Sequence, residues 1–273
     1  MSESAFLCTA CGSQFKPSPE PPASCPICDD ERQFVPPAGQ GWTTSAALAK
    51  SHANAWRQLE PDLFECVTKP SFAIGQRALL VRTAGGGNLL WDCLSLCDSA
   101  SVACIAGLGG LAGIAISHPH YYASMVEWSH AFGGVPIHLH QADREWIMRD
   151  DPAIALWDGA CKPVMPGLTL IRCGGHFAGA TVLHWAAGAQ GRGALLSGDV
   201  IQVVMDRKSV SFMRSYPNLI PLSANAVTRI TDAVASYPFD VIHGAFPERS
   251  IARDGKAALA RSAARYVRWL SEP

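Results

Sequence analysis

Two Cys-x-x-Cys pairs, Cys8-Thr9-Ala10-Cys11 and Cys25-Pro26-Ile27-Cys28, sit in a stretch that cannot build a core of its own. Residues 1–40 carry few large apolar side chains (Phe6, Leu7, Phe15, Ile27, Phe34), and prolines 17, 19, 21, 22, 36 and 37 deny them regular helix. Such a segment needs a staple, and the four cysteines are the available one. Each pair forms a tight knuckle whose two sulfurs face one ion, and two knuckles complete a tetrahedral thiolate site. Cys8, Cys11, Cys25 and Cys28 are therefore read as ligands of one metal, with zinc the expected occupant and iron the alternative the same ligands admit. Two disulfides or a thioredoxin-like redox pair are the competing readings. Against them, the start of the chain lacks a basic region followed by an apolar one, which predicts a reducing, cytoplasmic setting. No βαβ pattern flanks either pair.

Beyond residue 40 the pattern changes, so the chain divides into a module over 1–40 and a larger domain over 41–273. Of the 273 residues 48% are hydrophobic and 16% charged, enough apolar material for a packed core. With 22 basic against 23 acidic side chains, the net charge of −1 lacks the footprint of a nucleic-acid binder and suits a small-molecule substrate. The longest uncharged stretch, Ser99 to Ser117, is broken by Gly107, Gly109, Gly110 and Gly113, so a buried helix running into a strand is expected and no membrane span. Eight tryptophans and the low charge leave apolar surface for a homodimer.

Thr43-Thr44-Ser45 and the alanine-rich run to Leu59 read as a capped helix linking the two parts. Strands are expected at Ala78–Arg82 and Asn88–Asp92 around Gly85-Gly86-Gly87, then at Ile114–Ser117, Val135–Leu139, Leu168–Arg172, Thr181–Trp185, Ala194–Ser197 and Asp240–Ile242. Helices are expected at Ser99–Leu108, Tyr122–Phe132, Ala224–Ser236 and Lys256–Leu270. The mixture predicts two sheets flanked by helices. Cys66, Cys93, Cys97, Cys104, Cys161 and Cys173 are expected as buried thiols.

Four histidines and one aspartate fall where strands end. His118-Pro119-His120 follows a buried strand, and alternate residues there reach the same way. His176 lies in the glycine-rich turn Gly174-Gly175-His176-Phe177-Ala178-Gly179, Asp199 follows Ser197-Gly198, and His243 precedes Gly244. Strand-terminal donors beside glycine are what a metal site at a sheet edge requires. A second His-x-His, His138-Leu139-His140, and the helical His130 are read as structural. Arg214 is a candidate to bind a substrate carboxylate or phosphate, weighed against a structural ion pair. Gly-x-Ser-x-Gly and P-loop motifs are absent.

From about residue 65 onward these elements, with Leu89-Leu90-Trp91-Asp92 ahead of them, resemble in order and interval the metallo-β-lactamase fold superfamily, which includes glyoxalase II-like hydrolases. The N-terminal segment resembles zinc ribbons and rubredoxin-like modules. The resemblance implies an α+β, four-layer αββα sandwich. It implies a first metal at His118, His120, His176 and Asp199, and a second sharing Asp199 and using His243. One departure stands out: where the family's His-x-His-x-Asp-His signature carries Asp and His, this chain has Tyr122 and Ala123. Alanine cannot ligate, so one metal is expected in a degraded site.

A zinc ion there would lower the pKa of a bound water to about 7 and polarise an ester, thioester or lactone carbonyl. Asp199 is then the expected base, with Tyr122 and His243 as hydrogen-bond or proton-transfer partners. Two other classes fit the same residues. His118, His176 and Asp199 form a two-histidine, one-carboxylate set suited to a mononuclear iron oxygenase. A fold that has lost ligands can also survive as a non-catalytic scaffold or interaction protein.

Overall fold

Short apolar runs separated by turns pair into two mixed sheets in a computed structural model that describes residues 3–271. The seven-stranded sheet runs in chain order through Ala53–Glu60, Leu63–Lys69, Ala78–Arg82, Asn88–Trp91, Leu111–Ala115, Ile137–His140 and Ile154–Trp157. Its first four strands are joined as antiparallel hairpins, and Asn88–Trp91, Leu111–Ala115 and Ile137–His140 are parallel. The six-stranded sheet holds Cys161–Met165, Leu168–Arg172, Thr181–Trp185, Ala194–Gly198, Val241–Gly244 and Ser250–Ile251. Ala194–Gly198 and Val241–Gly244 form its one parallel pair. The chain separates into two compact units: one runs to Leu139 and takes in Arg144–Leu156, the other is His140–Asp143 with the chain from Trp157 onward.

The first unit contains the four cysteines as well as the larger sheet. Phe6–Cys8 pairs antiparallel with Trp42–Thr44, and Pro26 opens the short helix Pro26–Asp29, a position where its missing N–H costs nothing. The cysteines, Phe15 and Ile27 are buried together, packed against Trp42, Ile74, Trp146 and Met148. Segment 1–40 thus borrows its apolar cover from the rest of the unit. Helix Ser99–Gly107 is capped by Asp98, whose carboxylate accepts from Ser101 N at 2.7 Å, and it delivers the chain to the parallel strand Leu111–Ala115.

Two expected helices differ. Thr44 does cap a helix, its side chain accepting from Ala47 N, but only Ser45–Leu48 is helical and Ala53–Glu60 is a strand. Alanine's helix propensity loses there to tertiary partners: Trp56 Nε1 donates to Ser101 Oγ at 3.0 Å and Asn54 Nδ2 to the Leu96 carbonyl at 2.8 Å. The expected Tyr122–Phe132 helix begins only at Met125, because Pro119–Tyr121 forms a separate 3₁₀ turn and Ala123 takes a left-handed φ of 43°.

In the second unit, helix Ala224–Val234 is capped by Ser223 and precedes Val241–Gly244, and the last helix, Gly255–Ser271, packs on it. Ser262 Oγ accepts from Val210 N at 3.0 Å, and the Tyr266 hydroxyl accepts from Leu222 N at 2.8 Å. Among the described residues no helix is long and apolar enough to cross a membrane.

The remaining cysteines are not uniformly buried. Cys66, Cys93 and Cys173 are, Cys97 and Cys104 are half-buried, and Cys161 is exposed at the start of an edge strand. Burial pushes the Cys173 thiol up to about 12, as it does Cys97. Brief alkylation of the native protein at pH 8 is therefore expected to mark Cys161 first and leave Cys173 unmodified, as read by peptide mass spectrometry.

Candidate metal centre

The four N-terminal sulfurs have the spacing of a tetrathiolate. Cys8 and Cys28 Sγ are 3.6 Å apart, as are Cys11 and Cys25. A disulfide needs about 2.05 Å, whereas zinc–sulfur bonds of about 2.3 Å at tetrahedral angles place sulfurs about 3.8 Å apart. All four are buried and each offers a ligand atom within 4.8 Å of the others. The four sulfurs share hydrogen bonds that lower the Cys8 thiol and raise Cys11, so one sulfur of the cluster takes the charge at the expense of its neighbours. Gln40 Nε2 adds a donor 3.0 Å from Cys8 Sγ. The knuckles owe their shape to the turns Gly12 N to Cys8 O at 2.9 Å and Cys28 N to Cys25 O at 2.9 Å. The donor set fits zinc or iron.

A second group of four donors is divided between the two units, all of them buried: His118 and His120 in the first, with ring centroids 5.0 Å apart, and His176 and Asp199 in the second. Each donor stands where regular structure stops. His118 and His120 follow strand Leu111–Ala115, His176 lies between Leu168–Arg172 and Thr181–Trp185, and Asp199 ends Ala194–Gly198. Chain ends of parallel strands leave side chains and loop backbone free to converge on a ligand.

The histidines are oriented by neighbours. His176 Nδ1 lies 2.9 Å from the Met213 carbonyl, which can only accept, so Nδ1 carries a proton and Nε2 is the nitrogen left to face a ligand. His176 Nε2 is 3.8 Å from Asp199 Oδ1, too far for a hydrogen bond and suited to two donors around one ion. His118 Nδ1 is 2.9 Å from Ser117 Oγ, and Ser117 N donates to Asp92 Oδ1 at 2.8 Å, so the buried Asp92 braces the start of the histidine turn. The Tyr216 hydroxyl donates to the Asp199 carbonyl at 2.8 Å. The His176 loop tolerates no bulk at Gly179: a Cβ there would lie 2.9 Å from Asp143 and His140, and its N–H donates to Asp143 Oδ1 at 2.7 Å.

His243 and Tyr122 are not in the group of four. His243 is buried in strand Val241–Gly244 with Nδ1 3.0 Å from Ser250 Oγ. Tyr122 and Ala123 line a small cavity with Ser13, Gln14, Met125 and Arg149. Of the other residues singled out, His140 Nδ1 accepts from Ala142 N at 3.1 Å, His130 pairs with Asp151 at 2.8 Å, and Arg214 is half-buried in strand Met213–Ser215. The orienting groups Ser117, Ser250 and the Met213 carbonyl were not anticipated. A serine beside a ligand histidine is a readable signal, whereas a backbone carbonyl 37 positions away leaves none.

A relative is similar to this chain almost end to end. The uncharacterized protein YmaE of Bacillus subtilis (strain 168) is 43% identical over 268 residues, covering 97% of each chain. The chain belongs to the family of YmaE. No family model matches it. Among solved structures, the metallo-β-lactamase DIM-1 superposes with a TM-score of 0.59 at 12% identity, covering 80% of this chain and 98% of that one. The metallo-β-lactamase FIM-1 from Pseudomonas aeruginosa, in its mono-zinc form, gives 0.57 at 15%, covering 81% and 97%. At that identity the likeness concerns the fold: the chain has the α+β metallo-β-lactamase fold, with a cysteine knuckle cluster at its N-terminus.

Proposed function

We propose that this YmaE relative is a metal-dependent hydrolase of a small-molecule ester, thioester or lactone, working with one catalytic ion held by His118, His120, His176 and Asp199. The observation that carries the reading is a pair of buried strand-end donors in each unit of this fold: His118 with His120 in one, and His176 Nε2 3.8 Å from Asp199 Oδ1 in the other. Four such donors fit zinc, and iron is the second candidate. A divalent ion bound there supplies Lewis acidity toward a carbonyl and acidifies a water.

The chain's own residues do the rest. His176 is oriented by the Met213 carbonyl, which accepts a hydrogen bond from Nδ1 and leaves Nε2 to face the ion. Asp199 is assigned as base, the carboxylate oxygen it does not give to the ion taking the proton of the attacking water. His243, steadied at Nδ1 by Ser250, is assigned to pass a proton from Nε2 to the leaving group. Alanine at 123 removes a ligand for a second ion, and the mono-zinc form of FIM-1 supports a one-ion centre in this fold. The second ion belongs to the cysteines, as a structural site.

Metal analysis of the purified chain together with a hydrolysis screen tests the reading. We expect about two metal equivalents, and hydrolysis of at least one of the three substrate classes that disappears on chelation and returns with zinc. A chain that fills only its cysteine site overturns it. Two equivalents without hydrolysis of any class would favour the scaffold instead.

A further inference from the structure

Gln14 lies between the two knuckles and is only 4% exposed, yet its polar groups are engaged away from the sulfurs. Its N–H donates to the Ala123 carbonyl at 3.1 Å, its Nε2 donates to Glu127 Oε1 at 2.6 Å, and its Oε1 accepts from the Arg149 guanidinium. Arg149 also lies 3.6 Å from Glu127, whose other oxygen accepts from Ser45 Oγ at 2.8 Å. A second route starts at Gly12, directly after Cys11. Its carbonyl accepts from Ser95 Oγ at 2.8 Å, and the Ser95 carbonyl accepts from Ser124 Oγ at 2.7 Å. Both routes end on residues 123–127, the segment that follows His118 and His120 and includes the strained Ala123. The gripped carbonyl belongs to one of the two positions where the family signature would place second-metal ligands.

We propose that Gln14 is a positioning residue through which the cysteine module holds the His118–Ala123 turn, so that loading the cysteine site tightens metal binding at His118 and His120. The physical link is order. With its apolar cover borrowed, the module depends on its metal to fix residues 12–14. Fixed, they hold 123–127, and ligands already in place lose less conformational freedom when an ion arrives. The coupling is reciprocal, because it is a difference in binding free energy between the two sites. A protein clamp thus stands where a second ion would otherwise tie the turn down.

The proposal rests on the reading of His118 and His120 as metal ligands, and the wild-type titration tests that reading separately. Zinc binding to the full chain, its cysteine site kept loaded, is measured against a competing chelator. Gln14→Ala, which keeps the main-chain bond to Ala123 and loses the side-chain bonds to Glu127 and Arg149, is expected to bind the second equivalent about tenfold more weakly than wild type, the loss typical when a group supporting ligands is removed. Glu127→Gln, which leaves the module's own residues untouched, is expected to weaken it in the same direction. Arg32→Ala, which loses contact with Asp30 and the Trp146 ring but not with residues 123–127, is expected to bind as wild type. In the chain with only its cysteine site loaded, Gln14→Ala should also shift the imidazole resonances of His118 and His120 and leave that of His184 in place. Wild-type affinity in both Gln14→Ala and Glu127→Gln overturns the coupling, as does an equal loss in Arg32→Ala. A wild-type chain that takes up no second equivalent overturns the metal-site reading and the coupling with it.

Discussion

His176→Ala and His118→Ala are each expected to release one metal equivalent and to abolish hydrolysis, while the cysteine site stays loaded. Losing one of four donors leaves a site that no longer competes for zinc, and the ion's contribution to the transition state goes with it. That contribution is several kcal/mol, and each 1.4 kcal/mol is a factor of ten, so kcat/KM should fall about a thousandfold or more. His243→Ala provides the contrast. Lying outside the group of four, it should leave both equivalents bound and lower the rate by about a hundredfold, the effect of removing a proton-transfer group. Metal content and kcat/KM measured on the same preparations decide the matter. Activity that survives with the metal gone would refute the mechanism, and a His243→Ala variant that loses metal would move that residue into the ligand set.

Cys25→Ser/Cys28→Ser should cost the most stability. A structural zinc site commonly contributes about 10–16 kcal/mol of apparent binding free energy, and residues 1–40 have no core to fall back on. Even a third of that lowers Tm by about 10 °C, at roughly 2–4 °C per kcal/mol for a chain of this size. The double variant should lose one metal equivalent, melt in two steps and be cut by protease between residues 9 and 40. The uncovered Trp42, Ile74, Trp146 and Met148 should then bind a hydrophobic dye. A chain with both sulfurs replaced that keeps its Tm and its protease resistance would show that packing, and not metal, holds the module.

Much of the fold was legible because its signals are local. Glycines stop the Ser99–Gly107 helix, Gly85-Gly86-Gly87 turns one hairpin, and the apolar runs at Leu168–Arg172 and Thr181–Trp185 are strands at those limits. The Ala53–Glu60 strand was not legible, since its reason is a hydrogen bond from Trp56 to Ser101, 45 positions away. Nor was the late start of the helix at Met125, which depends on a left-handed Ala123 that propensity disfavours and tertiary bonding holds. Cys161 was expected as a buried thiol, and only its place on a strand at the sheet edge exposes it.

The sequence by itself determined the donor types. Two knuckles at fixed spacing can face only one ion each way the chain turns, and histidine and aspartate at strand ends beside glycine advertise a metal site through local geometry alone. Tertiary structure decided which donors meet, since His176 and Asp199 stand 23 positions apart and are brought to 3.8 Å only by folding. It also decided how they are held, through the Met213 carbonyl on His176 and the Gln14 clamp on Ala123. Such contacts join residues far apart in the chain through backbone groups that every residue possesses, so no residue type announces them.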